Sequence, residues 1–180
     1  MTARYHFLSN YRYAGDPDSV WATVVAVDAW PEWWSWIRQV EVVRAANGDD
    51  GTGPVYRSTV RAPAGYHLVF ETEAVAFEPL RSIDVLATGE LQGRGRFGLE
   101  SRGDGELEVW FAWLVETTKR WMSALAPVAR PVFSWNHDRI MDAFGTGLAA
   151  RTGARLLSSQ NTTVRPRSPG FWVLPETPTG

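Results

Sequence analysis

Between residues 55 and 117 the chain offers five strand-like runs, at 55–60, 67–77, 83–88, 91–101 and 107–117, separated only by short turns rich in Pro or Gly. A parallel pair of strands needs a crossover of a dozen residues or more, so connections this short can join antiparallel neighbours only. The middle of the chain is therefore constrained to an antiparallel meander. It reaches back to about Val40 across an evident loop, Asn47-Gly48-Asp49-Asp50-Gly51-Thr52-Gly53.

One hairpin of the meander can be put in register. A three-residue loop Gly103-Asp104-Gly105 pairs Arg102 with Glu106, and then Leu99 with Val109, Phe97 with Phe111 and Gly95 with Trp113. Every inward pair is apolar, while Arg94, Arg96, Glu100 and Glu108 take the outward parity. A one-residue slip would turn the apolar set outward, which selects this register. It sets Trp113 opposite a residue without a side chain, leaving room over Gly93 and Gly95 for a ring or a ligand.

The ends of the chain read differently. Tyr5, Phe7, Ser9, Tyr11 and Tyr13 share one parity, as on the inward face of a first strand. Asp16-Pro17-Asp18-Ser19 supplies candidate N-caps for a short helix carrying Val20, Trp21, Val24 and Val25. The residue before a proline avoids helical angles, so Trp30 is expected to form a corner, with Pro31 opening a second short helix to about Ile37. After Trp121 the period becomes helical. Pro131 suits a first helical position, and Val132, Phe133, Ile140, Met141, Phe144 and Leu148 form a stripe ending near Ala150. The alternation of elements makes the chain α+β. Beyond Leu157, Ser, Thr, Pro and Arg dominate, and residues 158–180 are expected to form a disordered or loosely docked tail whose apolar patch is Phe171-Trp172-Val173-Leu174.

Composition narrows the function. There is no Cys, which excludes disulfide and thiolate chemistry. No stretch approaches the ~20 apolar residues of a membrane span, and the first residues lack a basic-then-apolar leader, so stable membrane insertion is not expected and a cytoplasmic location is. Residues 1–150 carry 14 basic against 19 acidic side chains, a mildly acidic body that does not suit nucleic acid. Ten tryptophans are the unusual feature, clustered at 30, 33, 34 and 36 and again at 110, 113, 121 and 135. Indoles carry an N–H that is awkward in a dry core and common beside a ligand, so they suit a cavity wall as well as core filling.

Several motifs dissolve on inspection. Gly93-Arg94-Gly95-Arg96-Phe97-Gly98 matches a dinucleotide fingerprint, but it lies inside a strand leading to a hairpin, where no helix N-terminus can meet a pyrophosphate. Asn161-Thr162-Thr163 fits a glycosylation site without any sign of secretion. His6, His67 and His137 fall in separate elements without metal-ligand spacing, and there is no G-x-S-x-G elbow. No cofactor is indicated. What survives is Asn136 and His137, set four residues from apolar neighbours on either side, in the middle of the last helix's stripe. Buried there, each needs a partner. That partner is either protein (a backbone carbonyl, an indole N–H, a carboxylate, a buried water) or the polar end of a ligand.

The order strand, two short helices, antiparallel strands, long helix resembles the helix-grip fold of the steroidogenic acute regulatory-related lipid-transfer (START) domains, the birch pollen allergens and bacterial polyketide cyclases. Val20-Trp21 through Asp28-Ala29-Trp30-Pro31-Glu32-Trp33-Trp34 resembles the first-helix signature of the polyketide cyclase/dehydrase-like branch. So do Gly89-Glu90-Leu91-Gln92-Gly93, Trp113 on the last strand, and Pro131 through Trp135-Asn136-His137-Asp138. The likeness spans about residues 4–150. It implies a domain at 1–157 in which a curved antiparallel sheet of about six to seven strands wraps the C-terminal helix. It also implies a ligand cavity walled by Trp113, Phe111, Phe97, Phe70, Tyr11, Trp34, Ile140 and Gly95, with Asn136 and His137 as its polar groups. In aromatase/cyclases of this fold a poly-β-ketone folds in the cavity and closes by aldol reaction and loss of water. Transferred here, Asn136 would hold a carbonyl or enolate oxygen and His137 would move the proton. Three functions stay open: binding an apolar small molecule, cyclising a substrate delivered on a carrier protein, or a protein-interaction module with a filled core.

Overall fold

The computed structural model describes residues 4–46, 52–118 and 120–164, with the backbone alone for 120–130. The loop tip at 47–51 and the apolar patch Phe171-Trp172-Val173-Leu174 lie outside the described residues. Strand β1 (Arg4–Ala14) is followed by helix α1 (Pro17–Val25), a 3-10 turn (Val27–Ala29) and helix α2 (Trp30–Trp33). Then come β2 (Ile37–Arg44), β3 (Val55–Arg61), β4 (His67–Glu78), β5 (Ser82–Gly89), β6 (Leu91–Gly103) and β7 (Glu106–Thr117), the long helix α3 (Arg120–Thr152) and a last strand β8 (Arg155–Val164). The eight strands form one antiparallel sheet in the order β2-β3-β4-β5-β6-β7-β1-β8. This is the expected helix-grip architecture with one strand more than the meander and β1 supply.

Local chemistry accounts for the first turn of the path. Asp16 caps α1 by accepting from the backbone N–H of Ser19 at 3.0 Å, and Pro17 fills a position where the missing N–H costs nothing. Along β1 the side chains of Tyr5, Phe7, Ser9, Tyr11 and Tyr13 are buried as their parity predicts. The Tyr11 hydroxyl donates to the carbonyl of Met141 at 2.9 Å, that of Tyr13 to Gly145 at 3.0 Å, and Trp34 Nε1 to Ile140 at 2.8 Å. These bonds pin α3 across β1 and α2. Gly145 is needed at that crossing, because a β-carbon there would come within 2.8 Å of the Tyr11 ring.

Five expectations are corrected. Trp30 is not an extended corner but the first residue of α2, at φ −55° and ψ −38°. Its indole N–H donates to Val24 O at 3.0 Å and its ring meets Trp34 edge-on at 5.3 Å, contacts that outweigh the local preference of a pre-proline residue. The same helix stops at Trp33, because Ile37 is claimed by β2, where it pairs with Val60. Pro131 does not start α3 but lies inside it, and Val132 leaves the stripe, being 45% exposed. The domain edge expected at Leu157 falls inside β8, which pairs with β1 from His6↔Val164 to Ala14↔Arg155. Asn161 fixes that strand to the helix by donating to Asp138 O and to Asp142 Oδ1.

The β6–β7 register holds at Leu99↔Val109, Phe97↔Phe111 and Gly95↔Trp113. Its loop differs from the expected one. Gly103 pairs with Glu106 across a two-residue turn, with Asp104 at φ 50° and Gly105 at φ 74°, and a bulge between Ser101 and Gly103 absorbs the offset. Two consecutive left-handed residues give the turn that matches strand twist, and the bulge keeps the apolar parity inward. Among the described residues no helix is long and apolar enough to cross a membrane.

Candidate functional site

The inward face of the sheet and α3 do not meet everywhere. Buried side chains gather in two groups. One lies around Tyr11, Trp21, Phe97, Met141 and Phe144, the other around Tyr5, Phe7, Trp113, Val115 and Phe133. Between sheet and helix lies a cavity of about 510 Å³, within the size range of small-molecule sites. Trp113 forms a wall with Phe111, whose ring centre is 5.6 Å away, and Phe70, at 6.2 Å. Trp30 and Trp34 line another part, beside Val24, Val25 and Ile37.

Of the residues singled out from the sequence, Trp113, Phe111, Phe97, Phe70, Trp34, Ile140, Asn136 and His137 line this cavity. Tyr11 does not. It is fully buried between the sheet and α3, with its hydroxyl committed to Met141, so its role is to position the helix. Nor does Gly95 offer free space. An added β-carbon there would lie 2.2 Å from Trp113 Cζ3, so the room that the register creates is taken by the Trp113 ring itself. Even so the interior stays open, which is not the filled core that a pure interaction module calls for.

The polar pair on α3 divides. Asn136 is 2% exposed and already bonded to protein: its Oδ1 accepts from the backbone N–H of Ala64 at 2.9 Å, and its Nδ2 donates to the Tyr66 hydroxyl at 3.2 Å. It ties the β3–β4 turn to the helix. His137 stacks on Phe7, with ring centres 3.9 Å apart and planes within 8°. Its Nδ1 is sealed and has no hydrogen-bond partner, and Asp138 Oδ1, at 3.9 Å, is too far to supply one. Burial holds His137 below the ordinary imidazole range, against a smaller opposing pull from Asp138, so the ring is neutral at pH 7.

Sequence reasoning passed over Tyr66, Tyr56, Ser58 and Thr72, which also line the cavity. The signal was available in β3, where Tyr56, Ser58 and Val60 alternate with Arg57, Thr59 and Arg61. None of the described lining residues is Asp, Glu, Lys or Arg. Among the described residues no three His, Asp or Glu side chains converge as metal ligands.

The family profile described as polyketide cyclase/dehydrase and lipid transport matches residues 14–145, and the chain belongs to that family. Curated protein sequences contain no match. Among solved structures, the Zhui aromatase/cyclase from Streptomyces sp. R1128 superimposes with a TM-score of 0.69 at 14% identity, over 84% of this chain and 94% of that one. A START superfamily protein from Mycobacterium smegmatis gives 0.65 at 17% identity, over 82% and 97%. The di-domain aromatase/cyclase BexL of the BE-7585A biosynthetic pathway gives 0.65 at 19% identity, over 84% of this chain and 51% of that one. At these identities the likeness establishes the helix-grip fold.

Proposed function

We propose that the protein binds a hydrophobic, ring-containing small molecule, of polyketide or lipid type, in its internal cavity. The observation that carries this reading is the open 510 Å³ cavity walled by Trp30, Trp34, Trp113, Phe70 and Phe111. Flat aromatic walls match the faces of ring compounds, and a wall without charged groups favours ligands that leave water readily. Asn136, the polar residue most exposed to suspicion as a catalytic group, has two of its hydrogen-bonding positions engaged by Ala64 and Tyr66, as a structural residue would. Titration with fused-ring hydrocarbons tests the reading through tryptophan emission. Saturable quenching that weakens in Trp113→Ala supports it, and quenching that stays linear for every ring size refutes it.

One observation favours the second reading, aldol cyclisation and dehydration of a poly-ketone presented on a carrier protein. His137 borders the cavity and is held neutral, the state a general base requires. In that reading His137 moves the proton, and the remaining N–H of Asn136 holds the carbonyl or enolate oxygen. His137→Gln, which keeps shape and one hydrogen bond, would then spare binding while abolishing turnover of a poly-ketone analogue. Turnover undiminished in that variant rules the mechanism out.

A further inference from the structure

The polar side chains that line this cavity differ in whether the protein already engages them. On α3, Asn136 is bonded to Ala64 and Tyr66. On the facing wall, β3 and β4 bring together Tyr56, Ser58 and Thr72. Tyr56 is the direct cross-strand partner of Thr72, and Ser58, two residues along the same face, pairs with Phe70. All three line the cavity, and Ser58 is 2% exposed. Among the described residues, no hydrogen bond reaches the side-chain oxygen of any of them, and none of these oxygens is sealed away inside the protein. A wall built only to hold hydrocarbon would carry Val or Phe at these positions, as it does at Val60 and Phe70 on the same two faces. Three open hydroxyls on one wall can instead both donate to and accept from a ligand.

Charge then narrows the ligand. No described lining residue carries a formal charge, and His137 is held neutral. A carboxylate or phosphate drawn into such a cavity would lose its water and gain no counter-charge, which disfavours anionic ligands strongly. Tyr56 is held above the ordinary phenol range, first by burial and then by the charge of Asp28, so it meets the ligand as a neutral O–H.

We infer that Tyr56, Ser58 and Thr72 are the ligand's polar anchor, and that the ligand is an uncharged ring compound with a keto or hydroxyl oxygen on the end lodged against β3 and β4. The inference rests on the binding reading above and adds where the oxygen sits and what charge is refused. The anchor lies on the sheet wall, across the cavity from the α3 pair that the sequence singles out.

Equilibrium dialysis of the full chain at pH 7 with fluorene, 9-fluorenone and fluorene-2-carboxylate separates the possibilities. The wild type is expected to bind the hydrocarbon and the ketone and to leave the carboxylate at background. In Ser58→Ala/Thr72→Val, the fluorenone-to-fluorene affinity ratio should fall by roughly three- to tenfold, the weight of one net hydrogen bond, with fluorene itself unaffected. Tyr56→Phe, which removes one oxygen and no ring, should lower the same ratio and covers the case in which the double variant folds poorly. A ratio that survives both variants overturns the anchor, as does a ratio that collapses in Asn136→Ala instead. Carboxylate binding as tight as that of the ketone overturns the neutrality of the site. Failure of the wild type to bind any of the three overturns the binding reading itself, and the anchor with it.

Discussion

Asn136→Ala puts a number on a buried polar residue of α3 whose partners are fixed. The substitution removes the Oδ1 acceptor from Ala64 N–H and the Nδ2 donor from the Tyr66 hydroxyl. Each such bond is worth about 0.5–1.5 kcal/mol net, so the pair sums to about 1–3 kcal/mol. The lower half of that range is expected, because Ala64 is exposed and its freed N–H can turn to water. For a domain of this size, 1 kcal/mol moves the melting temperature by roughly 2–4 °C, so a loss of roughly 2–8 °C is expected. Urea unfolding should show a lower midpoint with an unaltered slope, because the same surface is exposed on unfolding. Tyr66→Phe deletes the other half of one bond, and the double variant should be less destabilised than the two singles added, by about 0.5–1.5 kcal/mol. Ligand preference should not change. Wild-type stability in Asn136→Ala, with strict additivity alongside Tyr66→Phe, would mean that these contacts hold nothing together and that Asn136 is kept for a ligand.

Other consequences can be measured on the same protein. His137 and His6 are both held below the ordinary imidazole value of 6.5 by burial, so each binds a proton more weakly folded than unfolded. Stability should therefore be complete above about pH 6.5 and decline as the pH falls further, and His137→Gln should flatten that decline in a pH series of melting curves. Trp113→Ala should weaken binding of ring compounds more than Trp110→Ala, because Trp113 lines the cavity while Trp110 covers Gly98 on the opposite face of β7. Equal losses would contradict that placement. Truncation after Leu157 should be less stable than truncation after Val164 by about 1 kcal/mol or more, since only the longer chain keeps Asn161 and its two bonds to α3. Equal stability would show that β8 past Leu157 contributes nothing.

The meander was legible because its two faces differ. Along β6 and the start of β7 inward apolar residues alternate with Arg94, Arg96, Glu100, Glu106 and Glu108, and one hairpin could be registered from that contrast, although Trp110, Ala112 and Leu114 make the other parity of β7 apolar and buried as well. β8 offers no such contrast. It is an edge strand of Ser, Gln, Asn and Thr, exposed along most of its length, so neither face leaves a hydrophobic period. What fixes it is the backbone ladder to β1 and the reach of Asn161 to α3, and neither has a local signature. Pro131 and Trp30 miscarried for a related reason. Both were judged by rules about immediate neighbours, and for Trp30 the deciding contacts, with Val24 and Trp34, lie four to six residues away.

The site was half legible, and the missing half has a physical cause. Parity and helical spacing say which way a side chain points, so eight of the ten candidates fell on the cavity wall. They do not say what stands opposite. Asn136 meets Ala64 and Tyr66 across about seventy residues of sequence, and no pattern within α3 could reveal that its amide was already engaged. Tyr11 failed in the same way: its inward direction was right, but the carbonyl of Met141 lay there in place of a cavity. Suspicion therefore settled on polar residues that break an apolar stripe, which are conspicuous in sequence and are often held by the fold. The hydroxyls of Tyr56, Ser58 and Thr72 are inconspicuous, since Tyr and Thr are ordinary strand residues and Ser is common everywhere. The distinction that matters for binding is whether a buried polar atom still lacks a partner, and that becomes visible only once both walls are in place.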